Sequence, residues 1–228
     1  MKIKIPYGDL YQELDINQNN LIGILKAKEI KPVKDEKLAI EKSLDFPIKS
    51  KKLEEIVKPN DQIVIVINDK TRPTPSKILI EAISKRLNLS GVPDSNIQII
   101  IATGTHDANT QEEIEMMVGK ELLKKFHIEN HNCLDQNNLK YIGHTGRMPV
   151  FINRKVAEAD IKILTGVILP HHAAGFGGSR KSLVPGVASL ETLKLHHSFP
   201  IRSFDPVVGK IEGNLFHEEA TKAARMAN

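Results

Sequence analysis

Apolar residues in this chain fall into short runs separated by long polar intervals. The opening Lys-Ile-Lys-Ile alternates with period two and predicts an edge strand. A charged stretch with weak helical periodicity then runs to about residue 60. Beyond it the pattern sharpens. Residues 62–68 read QIVIVIN, the near-continuous β-branched run expected of a strand buried on both faces. Over 76–89, Ile78, Ile80, Ala82, Ile83 and Leu87 recur at helical spacing behind a proline pair that suits a helix start. The cycle repeats with a strand at 97–102 (IQIIIA), a polar loop (TGTHDANT) and one helix over 111–126, with acids in its first turn. A third strong strand is expected over 161–169 (IKILTGVIL), then helical segments at 189–197 and 216–227.

Strands alternating with helices predict an α/β fold, a Rossmann-like parallel sheet flanked by helices and joined by right-handed crossovers. We expect one domain over residues 1–228, with 1–60 as a peripheral subregion. Loops that follow parallel strands share the carboxyl edge of the sheet, where open α/β sheets bind ligands. NDKTRPTP, TGTHDANT and PHHAAGFGGSRKS are therefore expected to converge there.

Composition narrows the function classes. With 40% hydrophobic and 26% charged residues, the chain has enough apolar material for a core. The net charge of +4 permits anionic ligands, but lysines and acids are interspersed and aromatics make up only 4% without tryptophan. No nucleic-acid partner is expected. Runs such as IVIVI and GVIL are too short to span a membrane, and the N-terminus lacks a signal-peptide pattern. Cys133 has no partner for an intrachain disulfide, which suits a reducing, cytoplasmic setting.

Candidate chemistry lies in the three loops. Gly175, Gly177 and Gly178 let backbone amides approach an anion, with Ser179, Arg180, Lys181 and Ser182 beside them. The phosphate-loop template G-x-x-x-x-G-K-[ST] matches at Gly175, Lys181 and Ser182 and fails at Arg180. Arg72 offers a planar fork for carboxylate or phosphate, and Asp69 can orient it or bind a hydroxyl. His106 directly follows a strand, and His171, His172, His196 and His197 fall near the same edge. His127, His131, His144 and His217 read as surface or packing residues. Zinc motifs such as H-E-x-x-H are absent. The histidines remain open to metal ligation or to acid–base work near neutral pH.

Together DKTRPTP, TGTH, PHHAAGFGGSRKSLVPG and the later His-His pair resemble the nickel-dependent lactate racemase family, over roughly residues 60 to 217. The resemblance implies a nickel-pincer nucleotide, a nicotinic-acid-derived mononucleotide whose two sulfur-bearing arms grip nickel. One arm would be joined to Lys181, the glycine loop would hold its phosphate, and His197, ahead of His196, would complete the nickel coordination. It implies racemisation of a 2-hydroxy acid by hydride transfer through a planar 2-oxo acid. His106 and His171 would be the bases for the two enantiomers, with His172 as the fallback. Arg72 would bind a substrate or cofactor anion, supported by Asp69. The implied partners are a small 2-hydroxy acid, cofactor-maturation enzymes and a C-terminal lobe that this chain lacks. Protein made without those enzymes is expected to be apo. Two other readings stay open: phosphoryl transfer by a degenerate phosphate loop, and a non-catalytic anion-binding module.

Overall fold

The structure, a computed structural model, describes residues 1–199, 201–202 and 207–227. The chain divides into two units, Met1–Lys34 and Asp35–Asn228. In the first, β1 (Lys2–Tyr7) and β2 (Leu10–Asp15) form the antiparallel hairpin that the opening alternation begins. The register places Ile3, Ile5, Tyr7, Leu10 and Leu14 on one face. Lys2, Lys4 and Glu13, which form ion pairs, lie on the other.

The second unit starts with α1 (Glu36–Asp45), then builds the sheet from β3 (Ile63–Asn68), α2 (Ser76–Leu89), β4 (Ile97–Ala102), α3 (Gln111–Val118), α4 (Lys120–Lys125) and β5 (His127–Asn130). A hairpin of β6 (Leu139–His144) and β7 (Pro149–Asn153) and the short α5 (Arg154–Glu158) precede β8 (Ile161–Leu164). Two-residue strands β9 (Pro170–His171) and β10 (Gly175–Phe176), α6 (Arg180–Leu183), α7 (Leu190–His196) and α8 (Leu215–Met226) complete it. The sheet is all-parallel with order β5-β4-β3-β8. Chain order runs outward from β3 to β5, then jumps back to place β8 on the far side of β3. Loops leaving β3 and β8 therefore diverge, opening a crevice at their carboxyl ends.

Period-two alternation in buried strands feeds two apolar layers. Ile63, Ile65 and Ile67 pack with Ile99 and Ile101 against Ile80, Ile83 and Leu87 of α2 and Ile114 and Val118 of α3. Val64, Val66 and Ile100 face the other way, onto Met148, Val150, Ile152, Leu183 and Phe216. Each such fully buried side chain contributes roughly 1.5–3 kcal/mol. Arg86 of α2 pairs with Glu41 and Asp45 of α1 and with Glu54, fixing α1 on this unit.

Two expected elements come out differently. The single helix over 111–126 is broken at Gly119, whose φ of +83° lies where side chains are strained. A capping box between Thr110 and Glu113 starts its first half. The strand expected to reach residue 169 stops at Leu164. There Thr165 caps the ladder, donating both its amide and its hydroxyl to the Val66 carbonyl, and the following residues turn away to wall the crevice. Among the described residues no helix is long and apolar enough to cross a membrane.

Candidate active site

The three loops converge as their strands dictate, and specific bonds lock them pairwise. The Lys70 amide donates to Asn109 Oδ1, joining the first loop to the second. The Gly104 amide donates to the Gly186 carbonyl, joining the second to the third. Asn68 Nδ2 donates to Ser182 Oγ, joining the first to the third. Between them lies a cavity of about 430 Å3, within the size range of small-ligand sites. Asp69, Arg72, His106, His171, Gly177, Gly178, Lys181 and His197 all line it.

Asp69 is 4% exposed at the end of β3. One carboxylate oxygen accepts from the Thr71 hydroxyl and amide, and the other lies 2.6 Å from His106 Nδ1. A carboxylate only accepts, so His106 carries its proton on Nδ1 and leaves the Nε2 lone pair free. This is the arrangement of an oriented general base. His171 is the mirror case: its Nδ1 accepts from the Ala173 and Ala174 amides. Burial, then the charges of Lys181, His172, Arg72 and His197, push its pKa down to about 4. His172, by contrast, is exposed, stacks on His171 with ring centroids 4.5 Å apart and does not line the cavity.

The adjacent histidines of α7 also separate. His197 donates Nδ1–H to the Leu193 carbonyl, which leaves Nε2 free for a metal, and a carbonyl partner of this kind fixes the tautomer of metal-binding histidines. Burial lowers its pKa against that bond, favouring the neutral, ligating form. His196 is fully buried, donates Nε2–H to the Phe216 carbonyl and is pushed to about 4 by burial. Phe216 lies against His171, His196 and His197, with centroid distances of 6.5, 3.9 and 4.8 Å.

The charge balance favours anions. Asp69 is the cavity's one lining carboxylate, whereas Arg72, Lys181 and Lys194 line it without an ion pair or side-chain hydrogen bond among the described residues. Burial, followed by the charges of Arg72 and Arg180, brings Lys181 down to about 8, so a real fraction of its amine is neutral and nucleophilic near pH 7. The amides of Gly178, Ser179 and Arg180 donate to no backbone acceptor among the described residues.

The remaining loop residues frame the site. The Arg180 guanidinium donates to the carbonyls of Ala174, Phe176 and Gly177, stapling the glycine loop. Gly175 has φ +72° and packs against the backbone of Lys210. Ser182 Oγ is buried and donates to the Thr165 carbonyl at 2.5 Å, whereas a phosphate loop needs that hydroxyl turned to the ligand's magnesium. Lys194 and Phe216 carried no motif signal. Lys194 was nonetheless legible in the i, i+3, i+4, i+7 stripe of Leu190, Leu193, Lys194 and His197 on α7.

Among the described residues no three His, Cys, Asp or Glu side chains converge on a metal position. A free imidazole nitrogen on His197, a half-buried lysine and cations without a partner among the described residues leave the cavity able to hold an anionic ligand.

The comparisons with known proteins agree with this geometry. The family model described as the lactate racemase N-terminal domain matches residues 7–206. Lactate racemase of Lactiplantibacillus plantarum is 37% identical over 99% of this chain and 54% of its own length. Lactate racemase of Thermoanaerobacterium thermosaccharolyticum is 32% identical, also over 99% and 54%. The solved lactate racemase apoprotein from the latter organism superposes with a TM-score of 0.88 at 31% identity, covering 100% of this chain and 54% of that one. The chain thus spans about half the length of the curated relatives it matches.

Proposed function

The chain belongs to the lactate racemase N-terminal domain family, and from that premise we propose that it is the cofactor-binding and catalytic half of a nickel-pincer-nucleotide-dependent racemase or epimerase of 2-hydroxy acids. The observation that carries this is the convergence of Asp69, Arg72, His106, His171, Lys181 and His197 on one cavity at the carboxyl edge of the sheet. The cofactor, when bound, supplies the hydride acceptor and the metal. Lys181 would tether it, His197 would complete the metal's coordination through Nε2, and the open amides with Arg72 or Lys194 would hold its phosphate. These roles suit the residues' states: a partly neutral amine, a neutral imidazole with a free nitrogen, and unpaired cations.

The substrate carboxylate would pair with a cavity cation, with His106 and His171 as the pair that handles the hydroxyl proton. Asp69 would keep His106 oriented and stabilise its protonated form, as a carboxylate does for a catalytic histidine. A second lobe, of the kind the longer relatives have length for, would close the cavity from water and complete the substrate contacts. The setting would be cytoplasmic, where the maturation enzymes supply the cofactor.

Co-production with cofactor-making enzymes tests this directly. Mass spectrometry is expected to find an adduct on Lys181, and metal analysis to find nickel that His197→Ala removes. Finding neither adduct nor nickel in the same preparation overturns the proposal.

A further inference from the structure

Resting on the two-lobed part of the racemase reading, we propose that residues 1–34 dock the second half that the longer relatives carry. The hairpin β1–β2 and the arm that follows it become part of that lobe's apolar core.

The hairpin sorts its side chains by face. The pairs Ile3–Leu14, Ile5–Gln12 and Tyr7–Leu10 put apolar side chains and a single amide on one face, with no charge among them. Lys2, Lys4, Glu13 and Asp15 lie on the other. That segregation belongs to a sheet with one covered face. Yet Ile5, Tyr7, Leu10 and Leu14 are exposed. In the arm, Ile22, Ile24, Leu25, Ile30 and Val33 are exposed as well, and residues 21–34 form neither helix nor strand. Soluble monomers rarely show a contiguous apolar patch larger than roughly a few hundred Å2, and larger ones mark interfaces. Each strand of the hairpin also keeps one edge without a partner strand among the described residues, which leaves the hairpin open to extension.

The occupant follows from what else is present. The sheet unit fills both of its apolar layers from Leu53 onward. The lactate racemases of Lactiplantibacillus plantarum and Thermoanaerobacterium thermosaccharolyticum match 99% of this chain, so hairpin and arm lie within the matched stretch. That stretch is 54% of each relative's length, and the family model describes it as the N-terminal domain. Nearly as much chain again therefore follows it in those relatives. An uncharged apolar face has the composition of a permanent interface, since transient ones are more polar. A lobe on the same chain meets this face at a high effective concentration, which a second copy in dilute solution does not. The chain then passes between the lobes twice, near Lys34 and again beyond the matched stretch. Two crossings make a hinge for the lobe that closes the cavity.

Hydrogen–deuterium exchange read by mass spectrometry tests this. It compares the 228-residue chain with a fusion of that chain to the unmatched second half of the Lactiplantibacillus plantarum enzyme, and with that intact enzyme. Residues 2–15 are expected to exchange at least about tenfold more slowly in the fusion than in the 228-residue chain. Tyr7→Ser combined with Leu10→Asp in the fusion is expected to restore fast exchange there, while β3 and β4 stay protected. Where the fusion does not fold, the intact enzyme decides, and its stretch matching residues 2–15 is expected to be protected. Fast exchange of the hairpin in a folded two-lobed protein overturns the proposal, as does protection that survives the double substitution. Protection already present in the 228-residue chain overturns it too, and a dimer mass in light scattering would then give the face to a second copy. None of these rates depends on the cofactor. A chain that takes up neither nickel nor adduct sinks the racemase reading and leaves the docking intact.

Discussion

At the scale of single residues, the site depends on keeping titratable groups in uncharged forms close to neutral pH. Lys181 is the clearest case, a half-buried amine whose pKa the site brings down to about 8. Burial lowers its pKa most, and Arg72 and Arg180 add like-charge repulsion. Removing Arg72 takes away one repelling charge, so the Lys181 pKa rises and the neutral fraction at pH 8 falls. Arg72→Ala is therefore expected to slow acetylation of Lys181 by an acylating reagent at pH 8. Competitive labelling read by mass spectrometry measures this, and an unchanged or faster rate would exclude Arg72 as a cause of the shift. His197 depends on its neighbours in a different way, because the Leu193 carbonyl selects the nitrogen left for a metal. Position along the sequence ranked His171 over His172 and His197 over His196 but gave no physical difference within either pair. Burial and backbone partners supply that difference: His172 is exposed, and His196 is buried on the carbonyl of Phe216, which lies 45 residues beyond His171 and carries no motif.

Among the elements, the glycine loop is stiffer than its composition suggests. Arg180 ties three of its carbonyls, and Gly175 lies so close to Lys210 that an added Cβ would collide with backbone. Gly175→Ala is thus expected to cost about 1–3 kcal/mol, from strain at positive φ and from that collision. Thermal unfolding measures it, and an unchanged midpoint would mean that the loop does not lean on residues 207–213. The hairpin β1–β2 is the opposite case. Its apolar face is largely exposed, with Tyr7 at 70% and Leu10 at 74%, and a two-stranded hairpin is marginal on its own. Fast amide exchange is expected across residues 2–15 of this chain, against strong protection in β3 and β4, and mass spectrometry of the exchanging protein distinguishes the two. This gradient of burial is also the gradient of legibility. The bounds of α2 and β4 were readable because α2 buries one periodic face and β4 is a near-continuous apolar run buried on both. β5 and β6 were not, because residues such as Glu129, Lys140 and Tyr141 leave their short runs half-polar, and β7 is only five residues opening on a proline. β8 was overrun because Thr165 and Gly166 interrupt an apolar run only locally. Gly119 broke a helix whose apolar spacing continues across it.

For the whole molecule, the same buried histidines make the fold sensitive to acid. His131 is 3% exposed, donates Nε2–H to the Ala188 carbonyl and sits near Asn153, joining the end of β5 to the turn before α7. Burial lowers its pKa against that bond, and His171 and His196 are each brought to about 4. In the unfolded chain these imidazoles titrate near 6.5. Between that value and about 4 the unfolded state therefore binds more protons than the native state, so stability rises with pH across this window. It is fully present above the unfolded value and is lost as the pH falls. Each fully buried imidazole contributes up to about 1.4 kcal/mol per pH unit to that slope. His196 is the sharpest probe, being completely buried with only one of its ring nitrogens bonded. His196→Gln removes the titrating group while keeping a donor for the Phe216 carbonyl. Urea unfolding at pH 7.5, 6 and 5 is expected to show a steep loss of stability in the parent and a shallower one in this variant. Parallel slopes would place the acid sensitivity on other groups. A shallower slope would assign that share of the acid sensitivity to His196, buried against Phe216 behind the cavity wall.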